Sequence, residues 1–458
     1  MSVGRGSLTP LAGCLALLLA ACGTDALASS PTPTSAPPTA SAAPSPTPGI
    51  GDVEPAPGSD STVYGPNPGA IVVAIEAGHG GCLDWGVPDP QLRGREFSEK
   101  AITLAIARAL RDRLEGQGIS VLMIRDGDDA LAGDDYPALD CHGPAWRDVN
   151  GDGFVGFGSD LPEGTRTRDE LQARLDLSNI ALADVLVSLH VDSITDAAGN
   201  PLAIARTETF YTDETPWGAS VTERLARHIQ DGVVRSLGAL AGYERQDRDI
   251  APHNLYIVAP PLFEVTPERD NQWRQPTRGA LMPVVLVEIG SITRPEEHEL
   301  LLTEAGITAA ADGLFVGLET FFAERGMAAR IALADVEPGS APRAVEGTGP
   351  PFWAPVAPDG EVALRLTNTG TEPWPDDLVL FAGWAATDQP YLARPPAQLE
   401  RIGPTIPALE PGESVLVGVL LPAGSEDRGV AWISLMGEHG GSFADRGSPA
   451  LQLSNEAP

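Results

Sequence analysis

IVVAIEAGHGGCLDWG, residues 71–86, is the stretch whose reading decides the fold. Residues 71–75 are an unbroken apolar run, the pattern of a strand buried on both faces. Gly78, Gly80 and Gly81 then let the chain turn sharply. His79 therefore sits in a turn at the carboxyl end of a buried strand, the place where open α/β sheets bind their ligands. A single histidine there also has an ordinary use, as a hydrogen-bonding partner within the turn. The rest of the chain weighs between the two readings.

Outward from this stretch, strands and helices alternate. Residues 95–115 carry Ile102, Ile106, Leu110 and Leu114 at helical spacing. Ser98 is the expected N-cap, with Glu99 in the first turn, where the helix dipole alone favours an acid. A strand at 119–124 runs into Arg125, Asp126 and Asp128. A helix at 167–182, with Arg168, Arg174 and Asn179, leads to an apolar strand at 184–190 that ends in His190. A strand at 206–212 and a helix at 219–237 follow, then a strand at 255–258 and an irregular polar stretch around Asn271. A strand at 284–287 runs into Glu288, and a helix at 308–322 closes the region. Such alternation predicts a layered α/β sheet.

Buried strands that deliver ionisable side chains at their ends are unusual, and His79, His190 and Glu288 are delivered in this way. Two histidines and a carboxylate are a familiar ligand set for catalytic zinc. A further, unligated carboxylate can take the proton from an attacking water. Glu99 as a helix-start acid, His190 as a satisfied strand-end histidine and Glu288 as the partner of an arginine such as Arg294 are the bland readings. Burying Glu288 after an apolar strand is costly without a partner. No Ser-His-Asp arrangement, P-loop or HExxH motif is apparent. His142, His228, His253, His298 and His439 read as surface or packing residues.

AIEAGHGG, EKAITLAIARALRDRL, SLHVDS and VLVEIGSITRPEE, in that order, resemble the zinc-dependent N-acetylmuramoyl-L-alanine amidases of the type 3 family, over residues 69–325. The resemblance implies a layered α/β/α domain with a mostly parallel sheet. It also implies hydrolysis of the amide between muramic acid and L-alanine in peptidoglycan. Position by position, it makes His79, Glu99 and His190 the zinc ligands and Glu288 the general base. Glu96 is a rival for the role of Glu99. The chain departs from the family pattern in several places. One residue is inserted between His79 and Asp84, Glu76 replaces Asp, Asp192 replaces Asn, Ser291 follows Gly290 in place of an aromatic, and Arg294 replaces Asn. None removes a ligand.

Asp148, Asn150 and Asp152 have the spacing of a calcium loop, without its usual twelfth-position Glu, so calcium is a second candidate cofactor. The same residues also populate ordinary turns. Cys82 and Cys141 remain once Cys22 is set aside, and a disulfide between them suits an oxidising compartment better than thiolate coordination does.

Residues 1–21 read as an export signal. Leu19-Ala20-Ala21-Cys22-Gly23 resembles the bacterial lipobox, which makes Cys22 the lipid anchor. Residues 22–68 form a Pro/Ser/Thr-rich tether that cannot bury enough surface to order itself. The expected location is extracytoplasmic, lipid-anchored to the bacterial cell membrane. The formal charge is −33, which argues against nucleic acid as a partner.

Residues 330–458 follow the catalytic region at 69–326 and change to short alternating strands with Pro-Gly turns. Val362, Leu364 and Leu366 alternate in one; Val415, Val417 and Val419 in another; Val430, Trp432, Ser434 and Met436 in a third. An all-β sandwich is expected, and Asn368–Gly370, Trp374 and Pro411-Gly412 resemble immunoglobulin-like modules. Trp374, Trp384 and Trp432 are expected in its core rather than on a glycan-binding face. Two rival functions share this architecture: a surface lipoprotein that binds wall glycopeptide without cleaving it, and an exported zinc peptidase.

Overall fold

The computed structural model describes residues 70–132 except 82–83, then 148–150, most of 168–259, 279–339, 360–386, 395–423, and 429–455 except 438–440. Cys22, Cys82, Cys141 and Asp152 lie outside the described residues.

The first region is a six-stranded sheet between layers of helix. In chain order its elements are β1 (Val72–Ala77), α1 (Glu99–Gly116), β2 (Ser120–Met123), α2 (Arg168–Ile180), β3 (Val185–Asp192), β4 (Thr207–Tyr211), α3 (Ala219–Gly238), β5 (Asp247–Pro252), β6 (Val284–Ser291), α4 (Pro295–Leu301) and α5 (Glu304–Ala323). The strand order is β2-β1-β3-β6-β4-β5. β4 runs antiparallel to β6 and the other pairings are parallel. The apolar runs become central strands because both their faces are covered. Val73, Ile75, Val185, Val187, Leu189, Val285 and Val287 pack with α1, α3 and α5. The alternate residues Val72, Ala74, Leu186, Val284 and Leu286 pack with α2. α5 is long and apolar enough to cross a membrane by composition, but much of it is buried against α1 and α3.

Strands alternate with a period of two, so the α2 face continues towards the strand ends as Glu76, Ser188, His190, Glu208 and Glu288. Register pairs His190 with Glu288 and Glu288 with Glu208. The fold thus lays polar residues across four strands, at the carboxyl ends of β1, β3 and β6 and the start of the antiparallel β4.

Two local expectations are corrected, and one helix is added. Residues 255–258 are not a strand: Val258 N–H and Ala259 N–H both donate to the Leu255 carbonyl, making a turn whose side chains fill the α2 face. The strand is instead β5, DRDIAP, an edge strand whose exposed charges hid it. Ser98 stands at the N-cap of α1 but does not cap; its hydroxyl donates back to the Arg95 carbonyl at 2.6 Å, closing the preceding 3₁₀ turn. α4, begun by Pro295 at its first turn, was not expected as a separate helix.

The second region is a sandwich of two antiparallel sheets. Its strands are β7 (Ala329–Leu333), β8 (Glu361–Asn368), β9 (Leu378–Ala386), β10 (Glu400–Ile406), β11 (Ser414–Leu420), β12 (Gly429–Met436) and β13 (Leu451–Ser454). The sheets have orders β11-β8-β7 and β10-β9-β12-β13. Val362, Leu364, Leu366, Val417 and Val419 point into the core as their alternation demanded. On β12 the core residues are Ala431, Ile433 and Leu435, while Val430 and Trp432 sit in a separate cluster on the other face. Trp374 is buried in the core, its Nε1–H donating to the Ala328 carbonyl at 3.1 Å, and Trp384 donates to the Pro422 carbonyl.

The sandwich is joined to the base of the sheet, at the strand starts. Asp184, just before β3, is buried and accepts from Val72 N–H at 2.9 Å, Arg325 at 2.7 Å and Arg330. Arg330 belongs to β7, and Ser448 Oγ accepts from the neighbouring Ala329 N–H.

Candidate metal centre

At the opposite end of the sheet, three separate elements bring His79, Glu99 and His190 together, with their ligand atoms within 4.8 Å of one another. β1 delivers His79 in a left-handed turn, φ 63°, an uncommon conformation for a residue with a side chain. α1 delivers Glu99 as its first residue, and β3 delivers His190 near its end. Two glycines make the approach close enough. A Cβ at Gly78 would lie 2.6 Å from the His190 ring, and one at Gly86 would lie 2.3 Å from Glu99 Oε2.

The Glu99 carboxylate is buried between the two imidazoles. Its Oε2 accepts from Val87 N–H at 2.8 Å and lies 3.1 Å from His79 Nε2. Its Oε1 accepts from Val191 N–H at 3.0 Å and lies 3.0 Å from His190 Nδ1. Main-chain donors thus fix the carboxylate in orientation. The rings themselves meet edge to face at 4.8 Å. His79 Nδ1 is held by Asp84 at 2.7 Å, so the insertion between the two residues leaves that contact intact. A carboxylate on one ring nitrogen sets the tautomer and turns the other nitrogen inward.

Burial alone would push the His79 pKa down, but Asp84 and Glu99 outweigh it and hold it well above the ordinary histidine value. Burial likewise works to raise Glu99, and the facing His79 and His190 override it, holding the carboxyl far below its usual range. A divalent cation offers the same charge balance in place of protons on the rings. The donor chemistry fits zinc: two imidazole nitrogens and one carboxylate oxygen. His79 Nε2 is moreover buried and makes no hydrogen bond, so a ligand atom is already desolvated and aimed at the carboxylate.

Glu288 sits on β6 beside His190, on the same face and half-buried. Arg294, its suggested partner, is at the N-cap of α4 with Nε 3.5 Å from Glu296. Ser291 N–H donates to Glu297, and the Ser291 hydroxyl lies 2.9 Å from that of Thr293. Glu96 is not in the cluster; Glu99 is. Asp148 and Asn150 lie away from it, the Asn150 N–H donating to Asp169 in the first turn of α2. His298 is buried and braces the loop before α1: its Nε2–H donates to the Phe97 carbonyl at 2.7 Å, and its Nδ1 lies 3.8 Å from Asp89.

Reading by element ends missed the side chains that support the turn from beneath. Arg125 donates to the carbonyls of Ala77, Gly78 and Lys100, and burial pushes its pKa down to about 10. Arg174 donates to those of Ala77 and His79. Their available signal was weak: Arg174 is one charge within a helix, and Arg125 one charge just after a strand.

A family model described as N-acetylmuramoyl-L-alanine amidase matches residues 73–320. The germination-specific N-acetylmuramoyl-L-alanine amidase of Bacillus subtilis (strain 168) is 24% identical over 260 residues, covering 56% of this chain and 81% of the relative. The uncharacterized protein YqiI of the same organism is 24% identical over 251 residues, covering 55% and 84%. Among solved structures, an N-acetylmuramoyl-L-alanine amidase from Clostridium difficile 630 aligns at 22% identity and a TM-score of 0.36, covering 56% of this chain and all of that one. The CwlD amidase from Clostridioides difficile, solved in complex with the GerS lipoprotein, aligns at 20% identity and a TM-score of 0.38, covering 55% and 98%.

Proposed function

Because the chain belongs to the N-acetylmuramoyl-L-alanine amidase family, we propose that it is a zinc-dependent hydrolase of the amide between N-acetylmuramic acid and L-alanine in peptidoglycan. The observation that carries the zinc dependence is the convergence of His79, Glu99 and His190 around a buried nitrogen that makes no hydrogen bond. In this reading those three residues hold the metal. Bound there, zinc would polarise the scissile carbonyl and lower the pKa of a water.

The chain's own residues supply the rest. Val87 N–H and Val191 N–H keep the Glu99 carboxylate in place, and Asp84 keeps His79 in the tautomer that presents Nε2. Glu288, one strand over from His190, is the proposed general base. It takes the proton from the attacking water and returns it to the nitrogen of L-alanine as the C–N bond breaks. The products are a free lactyl carboxylate and a free peptide amine.

The proposal extends to location: the Leu19–Gly23 stretch supports a lipid on Cys22 and an extracytoplasmic enzyme tethered to the membrane. The two antiparallel sheets of three and four strands support an immunoglobulin-like reading of the sandwich.

Digestion of purified peptidoglycan, read by mass spectrometry, tests the function. The mature protein with zinc should release peptides beginning at L-alanine. Glu288→Ala and a chelator should each abolish release. Zinc bound at one per chain without cleavage would instead point to autoinhibition or a different amide substrate, and neither zinc nor cleavage to a module that binds the wall.

A further inference from the structure

We propose that Arg174, with Glu76, is a positioning pair that sets both histidines of the metal centre at once. This rests on the zinc reading above and deepens it. Arg174 lies on α2 and Glu76 on β1, each only 1% exposed. All five guanidinium N–H donors have destinations. Nη1 donates to Glu76 and to the Ala77 carbonyl at 3.0 Å. Nη2 donates to the His79 carbonyl at 2.7 Å and to Glu170 at 2.8 Å, and Nε donates to Glu170 at 3.3 Å.

One branch of the pair acts on His79. Its backbone is held left-handed, and the guanidinium grips its carbonyl oxygen and that of Ala77, on either side of Gly78. The other branch reaches His190. Glu76 Oε1 takes the arginine, Oε2 takes the Ser188 hydroxyl at 2.5 Å, and that same Oε2 faces His190 Nε2 at 3.9 Å. His190 turns its other nitrogen, Nδ1, to Glu99. Each imidazole is therefore backed by an anion on its outer side, Asp84 behind His79 and Glu76 behind His190. Arg174 ties the second anion to the first ring's main chain.

Such outer partners orient a metal's ligands and typically alter affinity by 10–100-fold when lost. Glu76 occupies a position at which the resembling motif carries the shorter Asp. The longer side chain spans from the strand to both Arg174 and Ser188. The pair is anchored in turn by Glu170, whose second oxygen accepts Leu131 N–H and Ala132 N–H at 2.6 and 2.9 Å. A fork with five fixed donors is needed here, and a lysine ammonium cannot reproduce it.

The test measures zinc affinity by chelator competition, alongside the thermal midpoint of the metal-free protein, for wild type, Glu76→Gln, Arg174→Lys and Asp184→Asn. The last variant breaks an equally buried ion cluster at the far end of β3, and so calibrates the effect of lost stability alone. Glu76→Gln preserves shape and is the variant least prone to misfold. The expected result is a zinc affinity lower by about 10–100-fold in Glu76→Gln and Arg174→Lys, with Asp184→Asn lowering the midpoint while leaving affinity within about twofold. Equal zinc affinity in Glu76→Gln and wild type overturns the positioning role but leaves the metal centre standing. An affinity loss in Asp184→Asn as large as that in Glu76→Gln also overturns it, since stability would then explain both. Absence of zinc binding by the wild type overturns the metal-centre reading and this proposal together.

Discussion

Strand β3 has a buried carboxylate at each end, and the two are finished in different ways. At its start Asp184 is surrounded by Arg325, Arg330 and Val72 N–H. At its end Glu99 takes two main-chain N–H groups and faces two imidazoles. Arginine does not give up its proton, so the first cluster is closed and serves only the fold. Histidine does, so the second can exchange protons for a metal ion. The chemistry of the cations, more than the burial of the anion, separates a structural cluster from a candidate catalytic one.

The largest effect should come from breaking the exchangeable end. Glu99→Gln removes the only carboxylate in the three-residue set. Zinc content should fall to near zero and peptidoglycan release by more than about 100-fold, exceeding the range for outer partners. Elemental analysis and the digestion assay check this. Retention of one zinc per chain would mean the carboxylate is no ligand.

Breaking the closed end should cost stability instead. Asp184→Ala leaves two buried arginines without their shared anion, a loss of about 3–5 kcal/mol. Denaturant unfolding measures it, and zinc content of the folded fraction should be unchanged.

Acid sharpens the same contrast. Burial acts to raise the Asp184 pKa, but Arg330 and Arg325 override it and hold the carboxyl below its ordinary value. Its stabilisation is thus fully present above the unfolded value of about 3.9 and is lost as pH falls through the lower folded value. Unfolding free energy followed from about pH 5 down to about pH 1 should fall less steeply in Asp184→Asn than in wild type. Parallel profiles would deny Asp184 its role.

Ser188 lies between the two ends and should give the smallest change. Its hydroxyl donates one hydrogen bond to Glu76, so Ser188→Ala should cost about 1 kcal/mol in denaturant unfolding. Zinc affinity should fall by less than in Glu76→Gln.

Much of the catalytic region was legible because its strands are apolar runs that stop abruptly. The residues at those stops, His79, His190 and Glu288, stand out against their surroundings, and Glu99 follows from the helix start. His79 and His190 converge because parallel strands end on the same side of a sheet, where α1 also begins with Glu99. What escaped was whatever depends on partners distant in sequence. β5 is polar and held by its pairing with β4, whereas the apolar residues 255–258 fold as a turn. Ser98 occupies a cap position but bonds backwards. Arg174 reads as one more helix charge until the chain folds and places it beneath β1, 98 residues from Glu76. In the sandwich the alternation gave the inward faces of β8 and β11, but β12 is buried on both sides, and alternation cannot say which side is the core.

The ion cluster at the foot of β3 has a consequence for modularity. Residues 62–458 form one compact unit, and Asp184 draws its arginines from both sides of the junction, Arg325 just beyond α5 and Arg330 within β7. Heating should therefore give a single calorimetric peak, with catalytic sheet and sandwich melting together. A chain cut after residue 326 keeps the whole metal cluster but forfeits Arg330 and the strand that carries it. The sandwich is then less a passenger than a keystone: a lineage can graft such a module on, but it cannot afterwards be lifted off cleanly.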